Sequence, residues 1–243
     1  MISARGRVLL AAMAAIIATL AIVVVARGDE TKPMPPRPPG ERPTLLLLTS
    51  LPLVFGEGFS LRQNGSPALN ALESRYRVEP ISLTDADDLA KGGLLLMAHP
   101  LAQPPEDLVA LDKWVRGGGR VLLLADPMLE WPSKLPLGDP MRPPPMFMDT
   151  GLLAHWGLRL DVPVERGPSA QKLGRYDVLT VSPGKLFGSC RISSDRLVAH
   201  CGIGKGRATV VADADLLASD QLGPGASHNL DGVLEELGEL EPE

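Results

Sequence analysis

Three apolar runs in this sequence each end in an ionisable residue. GLLLMA (93–98) is followed by His99, RVLLLA (120–125) by Asp126, and ATVVA (208–212) by Asp213, with Asp215 two positions on. A short continuous apolar run reads as a strand buried on both faces. In a parallel sheet the carboxyl ends of such strands are where ligands bind. If the three ends converge, one imidazole and three carboxylates meet, with the chemistry to hold a metal or a hydrolytic water. The plainer reading is local. Asp126 caps a turn before Pro127, and Asp213 and Asp215 cap a helix beginning near Leu216. His99 and Asp126 then stand as candidate ligand contacts, no metal or cofactor is assigned, and the four residues together form the candidate set of a hydrolytic alternative.

Cys190 and Cys201 are the only cysteines, and the ten residues between them suit a hairpin that brings them together. They read either as a disulfide, which would place the domain in an oxidising compartment, or as two unpaired thiols. GIGKG (202–206) is basic and Gly-rich, but it lacks the GxxxxGK[ST] spacing of a phosphate loop and precedes its strand, so it reads as a turn. His155 beside Trp156 reads as packing, and His200 and His228 stand alone without a signal. The net charge of −5 and the 4% aromatic content exclude a polybasic, base-stacking nucleic-acid surface.

The elements that must position these residues follow from periodicity. Thr44–Thr49 and Tyr76–Leu83 read as two further strands, with a helix over Ala68–Tyr76 between them. Pro104-Pro105 with acids behind them start a helix whose stripe is Leu108, Leu111 and Val115, and Gly117–Gly119 stop it. Asp85, Asp87 and Asp88 read as a solvated helix start. Residues 128–149 are a Pro- and Met-rich insertion, read as a loop capping the sheet edge. A short helix is expected over 151–158, shorter strands over 159–205 with Tyr176–Val181 and Leu197–Cys201 as candidates, and a last amphipathic helix from Asn229. Strand and helix alternation with apolar strands predicts an α/β domain: an open, mostly parallel sheet with helices on both faces.

Residues 8–26 are 19 consecutive residues without charge, Pro or Gly. At ~1.5 Å per residue they match the ~30 Å core of a bilayer. They are expected to form one N-terminal transmembrane helix, an uncleaved signal anchor behind a tail of residues 1–7. Residues 27–43, with six prolines, read as a spacer. The domain over 44–240 is expected on the far side of a bacterial inner membrane, single-pass and periplasmic. The basic residues flanking the anchor favour neither orientation.

Three stretches carry a family resemblance. They are GLLLMAHPLAQPPEDLVALDKWVRGGGRVLLLADP (93–127), GLLAHWGLRLD (151–161), and GIGKGRATVVADADLLASD (202–220) with NLDGVLEEL (229–237). Their order resembles the soluble domain of the gliding-motility auxiliary component of ABC transporters, an ABC-type uncharacterised transport system domain. The resemblance implies a class I glutamine-amidotransferase-like fold without its catalytic cysteine. Ala98-His99-Pro100 stand on the turn where such an enzyme needs its Cys. The expected function is therefore a non-catalytic, membrane-anchored binding or assembly module. Its expected partners are the bilayer, through residues 8–26, and a protein such as an ABC transporter subunit, with no nucleic acid. The alternative is a metal- or water-dependent hydrolase built on His99 and the strand-end carboxylates.

Overall fold

The computed structural model describes residues 32–56 and 65–241. The chain divides into residues 1–33 and a compact unit, Met34–Glu243, and the description concerns the second. The expected span at 8–26 lies outside the described residues, and among the described residues no helix is long and apolar enough to cross a membrane. The described residues therefore give no support to the expected transmembrane helix, signal anchor, bilayer partner or single-pass periplasmic placement. What the fold supports is an α/β domain with a mixed sheet and helices on both faces.

Seven strands form that sheet: β1 (Thr44–Thr49), β2 (Arg77–Pro80), β3 (Leu94–Ala98), β4 (Arg120–Leu124), β9 (Arg191–Ile192), β10 (Val198–Ile203) and β11 (Gly206–Val211). Their order is β2-β1-β3-β4-β11-β10-β9. The first five run parallel, and β10 and β9 add antiparallel strands at one edge. Leu45–Leu47, Leu94–Ala98 and Val121–Leu124 are almost wholly buried. That is the outcome expected for strands covered on both faces, where alternation has no surface to report.

Helices α1 (Pro67–Arg75) and α5 (Asn229–Leu240) pack together, as do α2 (Ala86–Leu89) and α3 (Pro105–Arg116). Ser66 caps α1 by accepting from Leu69 N–H, and Asp85 caps α2 by accepting from Asp88 N–H. The proline start of α3 leaves no capping side chain, but Glu106 and Asp107 sit in its first turn, where negative charge suits the helix dipole.

The GIGKG stretch is the β10–β11 hairpin turn, and it docks on the end of α3 through Lys205 N–H to the Arg116 carbonyl at 3.0 Å. Gly204 has φ +61, and a Cβ there would lie 2.8 Å from Arg116 backbone. A Cβ on Gly206 would fall even closer to the Val115 and Gly119 carbonyl oxygens. Its glycines thus serve a close backbone approach.

The segment between β4 and β10 is richer in strands than its sequence suggests. After a short helix α4 (Leu152–His155) come β5 (Leu158–Asp161), β6 (Pro168–Leu173), β7 (Tyr176–Val181) and β8 (Lys185–Gly188). β5 pairs with β8, and β6 with β7, as two small antiparallel sheets. Cys190 and Cys201 are bonded, with Cα atoms 4.9 Å apart, tying the β8–β9 connection to β10.

Candidate functional site

The strand ends do converge, and the insertion is strapped over them. Phe147 N–H donates to the Asp126 carbonyl at 2.6 Å, and Leu129 N–H to the Pro145 carbonyl at 3.0 Å. Glu130 N–H reaches the Asp215 carboxylate at 2.8 Å. Phe147 packs toward the core, while Met141, Met146 and Met148 are exposed.

Under this strap every acid has a backbone partner. Asp126 accepts from Met128 N–H and Ala214 N–H, one on each oxygen, both at 2.8 Å. Asp213 accepts from Val181 N–H and Leu216 N–H, again one on each oxygen and both at 2.8 Å. The three carboxylates thereby join β4, β7, the strap and the 3-10 turn Asp215–Leu217.

All three are buried, and burial is the first cause of their raised pKa values. Asp126 is pushed up to about 6, with the charge of Glu130 adding to burial against three backbone N–H bonds. Asp215 is pushed up to about 7 by burial and then by Asp126. Asp213 is held well above the carboxylate range by burial and by both neighbours.

His99 lies nearby but does not join the acids. It has φ +47 and is fully buried. Its Nε2 is 2.9 Å from the Pro144 carbonyl oxygen. A carbonyl only accepts, so Nε2 carries the proton and Nδ1, buried without a partner, is the bare nitrogen. Burial holds the ring below the usual histidine range. Among the described residues no hydrogen bond or ion pair links it to Asp126, Asp213 or Asp215.

A second cluster lies at the antiparallel edge. His200 on β10 pairs in register with Thr209 on β11 and Arg191 on β9. Helix α5 lies alongside and offers Glu236 and Glu239, three residues apart and so on one face. One ligand atom from each of His200, Glu236 and Glu239 lies within 4.8 Å of the others. Glu239 is exposed, His200 half-buried and Glu236 only 2% exposed.

Glu236 Oε2 has no hydrogen-bond partner. Its nearest cation candidate is His200 Nδ1 at 3.7 Å, a pairing that needs a protonated ring. Burial and then Arg191 lower the His200 pKa, so at neutral pH the ring is uncharged and the contact is not an ion pair. Burial, then the charges of Glu239 and Glu235, push Glu236 up to about 7 against the opposing pull of Arg191 and the Gly174 N–H. The cluster opens into a cavity of about 240 Å³ whose wall includes Arg191, Arg207 and Thr209.

Reading the sequence alone, His200 carries no signal and α5 is merely amphipathic. The signal that was present is the Glu236/Glu239 spacing on one helix face. Nothing in the sequence says that β10 lies beside it.

Fold and sites together define an α/β domain with a capped parallel-strand edge and a candidate cation site at its antiparallel edge. Residues 42–163, about half of the chain, match the family described as "ABC-type uncharacterized transport system", and the chain belongs to that family. No curated protein matches it. Among solved structures it is similar to the exo-β-1,4-mannosidase Op5Man5 from Opitutaceae bacterium strain TAV5, with 12% identity and a TM-score of 0.52. That match covers 83% of this chain but 37% of the mannosidase, so the chain spans little more than a third of that enzyme's length. It is also similar to the cytoplasmic protein STM3548 from Salmonella typhimurium, with 10% identity and a TM-score of 0.51, covering 83% of this chain and all of the other. At such identities the likeness is one of fold.

Proposed function

We propose that this chain is a hydrolase dependent on a divalent cation held by His200, Glu236 and Glu239. This replaces the non-catalytic, membrane-anchored module expected from the sequence. The observation that carries it is the unpartnered Glu236 Oε2, buried beside His200 and Glu239, two residues that line an open cavity. A buried carboxylate oxygen without a donor is costly, and a cation is the partner that removes the cost.

One imidazole and two carboxylates suit zinc or manganese, and three protein ligands leave room for water and substrate. Such a cation supplies Lewis-acid polarisation and lowers the pKa of water. Arg191 and Arg207 on the wall favour an anionic substrate, a phosphate ester being the simplest. In the hydrolysis, water oxygen bonds to phosphorus, the ester P–O bond breaks, and the leaving alcohol takes the proton.

The strand-end residues His99, Asp126, Asp213 and Asp215 are read here as architecture. Support comes from the backbone amides on both oxygens of Asp126 and Asp213, and from the Pro144 carbonyl on His99. The amidotransferase-like relationship is likewise a proposal. Its support is the left-handed φ of His99 on the turn after β3, where such a fold would carry its nucleophile.

The test is calorimetric titration of the full-length protein with Zn²⁺ and Mn²⁺, alongside turnover of p-nitrophenyl phosphate. Saturable one-to-one binding, lost in Glu236→Gln and Glu239→Gln, with metal-dependent turnover, is the expected result. Binding equal in wild type and both variants sinks the cation site. Binding without turnover of phosphate or carboxylate esters keeps the site and removes the hydrolase.

A further inference from the structure

Another cavity lies elsewhere, over the carboxyl end of the parallel strands. It measures about 540 Å³, inside the range of roughly 300–1,000 Å³ typical of small-molecule sites. Three separate segments build it. Pro52, Val54 and Gly56 after β1 line it together with Ser66 at the start of α1, the strap contributes Trp131 to Lys134, and the segment after β11 contributes Asp220 and Gln221. The sheet order β2-β1-β3-β4 reverses direction between β1 and β3, and open α/β sheets bind ligands outside the strand ends at such a switch point.

The wall has a definite chemistry. Trp131 is half-exposed and is the one aromatic in the lining. Around it stand Ser66, Ser133, Lys134, Asp220 and Gln221. Ser66 and Ser133 already accept backbone N–H bonds, from Leu69 and Leu135, which fixes their hydroxyls in place while leaving each O–H able to donate. Asp220 and Gln221 are exposed and present paired acceptors and an amide. One cation and one anion in the lining balance, which disfavours a strongly charged ligand.

A flat aromatic face surrounded by hydroxyl, amide and carboxylate groups is the complement of a molecule with an apolar C–H face and a rim of hydroxyls. We infer that this cavity is a binding site for a neutral saccharide, with Trp131 stacking on a sugar face and Asp220 and Gln221 hydrogen-bonding adjacent hydroxyls. The site is separate from the His200 cluster, so it stands or falls independently of the proposed hydrolysis.

The experiment is calorimetric titration of the full-length protein with cellobiose, maltotriose and chitotriose, with AMP and glucuronic acid as charged comparators. Tryptophan emission is followed in parallel. At least one neutral sugar is expected to bind saturably and to perturb the emission. Trp131→Ala should weaken that binding about tenfold or more, Trp131→Phe should retain most of it, and Gln221→Ala should weaken it less. Unchanged melting temperatures in the three variants establish that each is folded. The inference is overturned by no saturable binding of any neutral sugar up to about 10 mM. Equal binding in wild type and Trp131→Ala, or saturation by the charged comparators alone, overturns it equally.

Discussion

Two groups of acids in this protein have raised pKa values for the same first reason, burial, yet they differ in one decisive respect. At the strand ends, both oxygens of Asp126 and of Asp213 hold backbone N–H groups. At the antiparallel edge, Glu236 Oε2 holds none. A perturbed pKa therefore does not by itself separate architecture from a site. The hydrogen-bond partners do, because amide donors on both oxygens offset the desolvation of a buried carboxylate, while an oxygen without a donor has been desolvated without compensation.

The largest expected effect tests the architectural side. Asp213→Ala leaves the Val181 and Leu216 amides buried without acceptors and should cost about 2–5 kcal/mol in urea unfolding. A loss below about 0.5 kcal/mol would show that the knot of carboxylates is not structural.

Opening the Cys190–Cys201 bond comes next. It closes a loop with a sequence separation of 11, and the variant Cys190→Ser/Cys201→Ser should lose about 2–3 kcal/mol. The bond also anchors β10, which carries His200, so its removal should weaken metal affinity at the edge while leaving the strand ends intact. Equal loss of order at both regions, read by amide hydrogen exchange, would break the comparison.

The pH dependence of the strand-end acids follows from the direction of their shifts. Asp215 has a folded pKa raised to about 7, so its contribution to stability is fully present below its unfolded value and is lost as pH rises through about 7. Asp126 behaves alike through about 6. His99 and His200, held below the usual histidine range, act in the opposite sense, so the readable quantity is a difference between proteins. Asp215→Asn keeps an oxygen for Glu130 N–H and removes the charge. Relative to wild type it should gain about 2 kcal/mol between pH 5 and pH 8. Parallel pH curves for the two proteins would show that the Asp215 charge is not the cause.

The smallest effect on stability belongs to the other region. Glu236→Gln removes a buried charge and gives the bare position an N–H₂ that can face His200 Nδ1. Its stability should change by no more than about 1 kcal/mol, in the stabilising direction. A loss like that of Asp213→Ala would mean that Glu236 is structural and that the two regions do not differ.

Much of the scaffold was legible because burial on both faces writes itself into composition. TLLLLT, GLLLMA and RVLLLA admit few readings other than strands, and the Pro-Pro-Glu-Asp start and Gly-Gly-Gly stop delimit α3. Within 159–205 the strand candidates Tyr176–Val181 and Leu197–Cys201 fall on β7 and β10, while β5, β6, β8 and β9 had no bounds of their own. β6 alternates exposed and half-buried residues in a two-stranded sheet, and its partner is set by contacts rather than by pattern. The local bonds of Asp126 to Met128 N–H and of Asp213 to Leu216 N–H were also legible, since an Asp followed by a turn is a local device, whereas Asp215, read as a cap, instead accepts from Glu130 N–H of the strap. The convergence of Asp126 with Asp213 and Asp215 was a conditional statement until the sheet placed β4 beside β11.

The sequence by itself determined the strand-helix alternation, the family, and which residues end each parallel strand, because these depend on local composition and short spacing. It left open whether Cys190 and Cys201 bond, and it gave His200 no role. Those were decided by tertiary structure: the β10–β11 hairpin turns back over itself, β9 adds to its edge, and α5 lies alongside. Side chains from positions 200, 236 and 239 meet only because of that packing, and no period within a single element reports it.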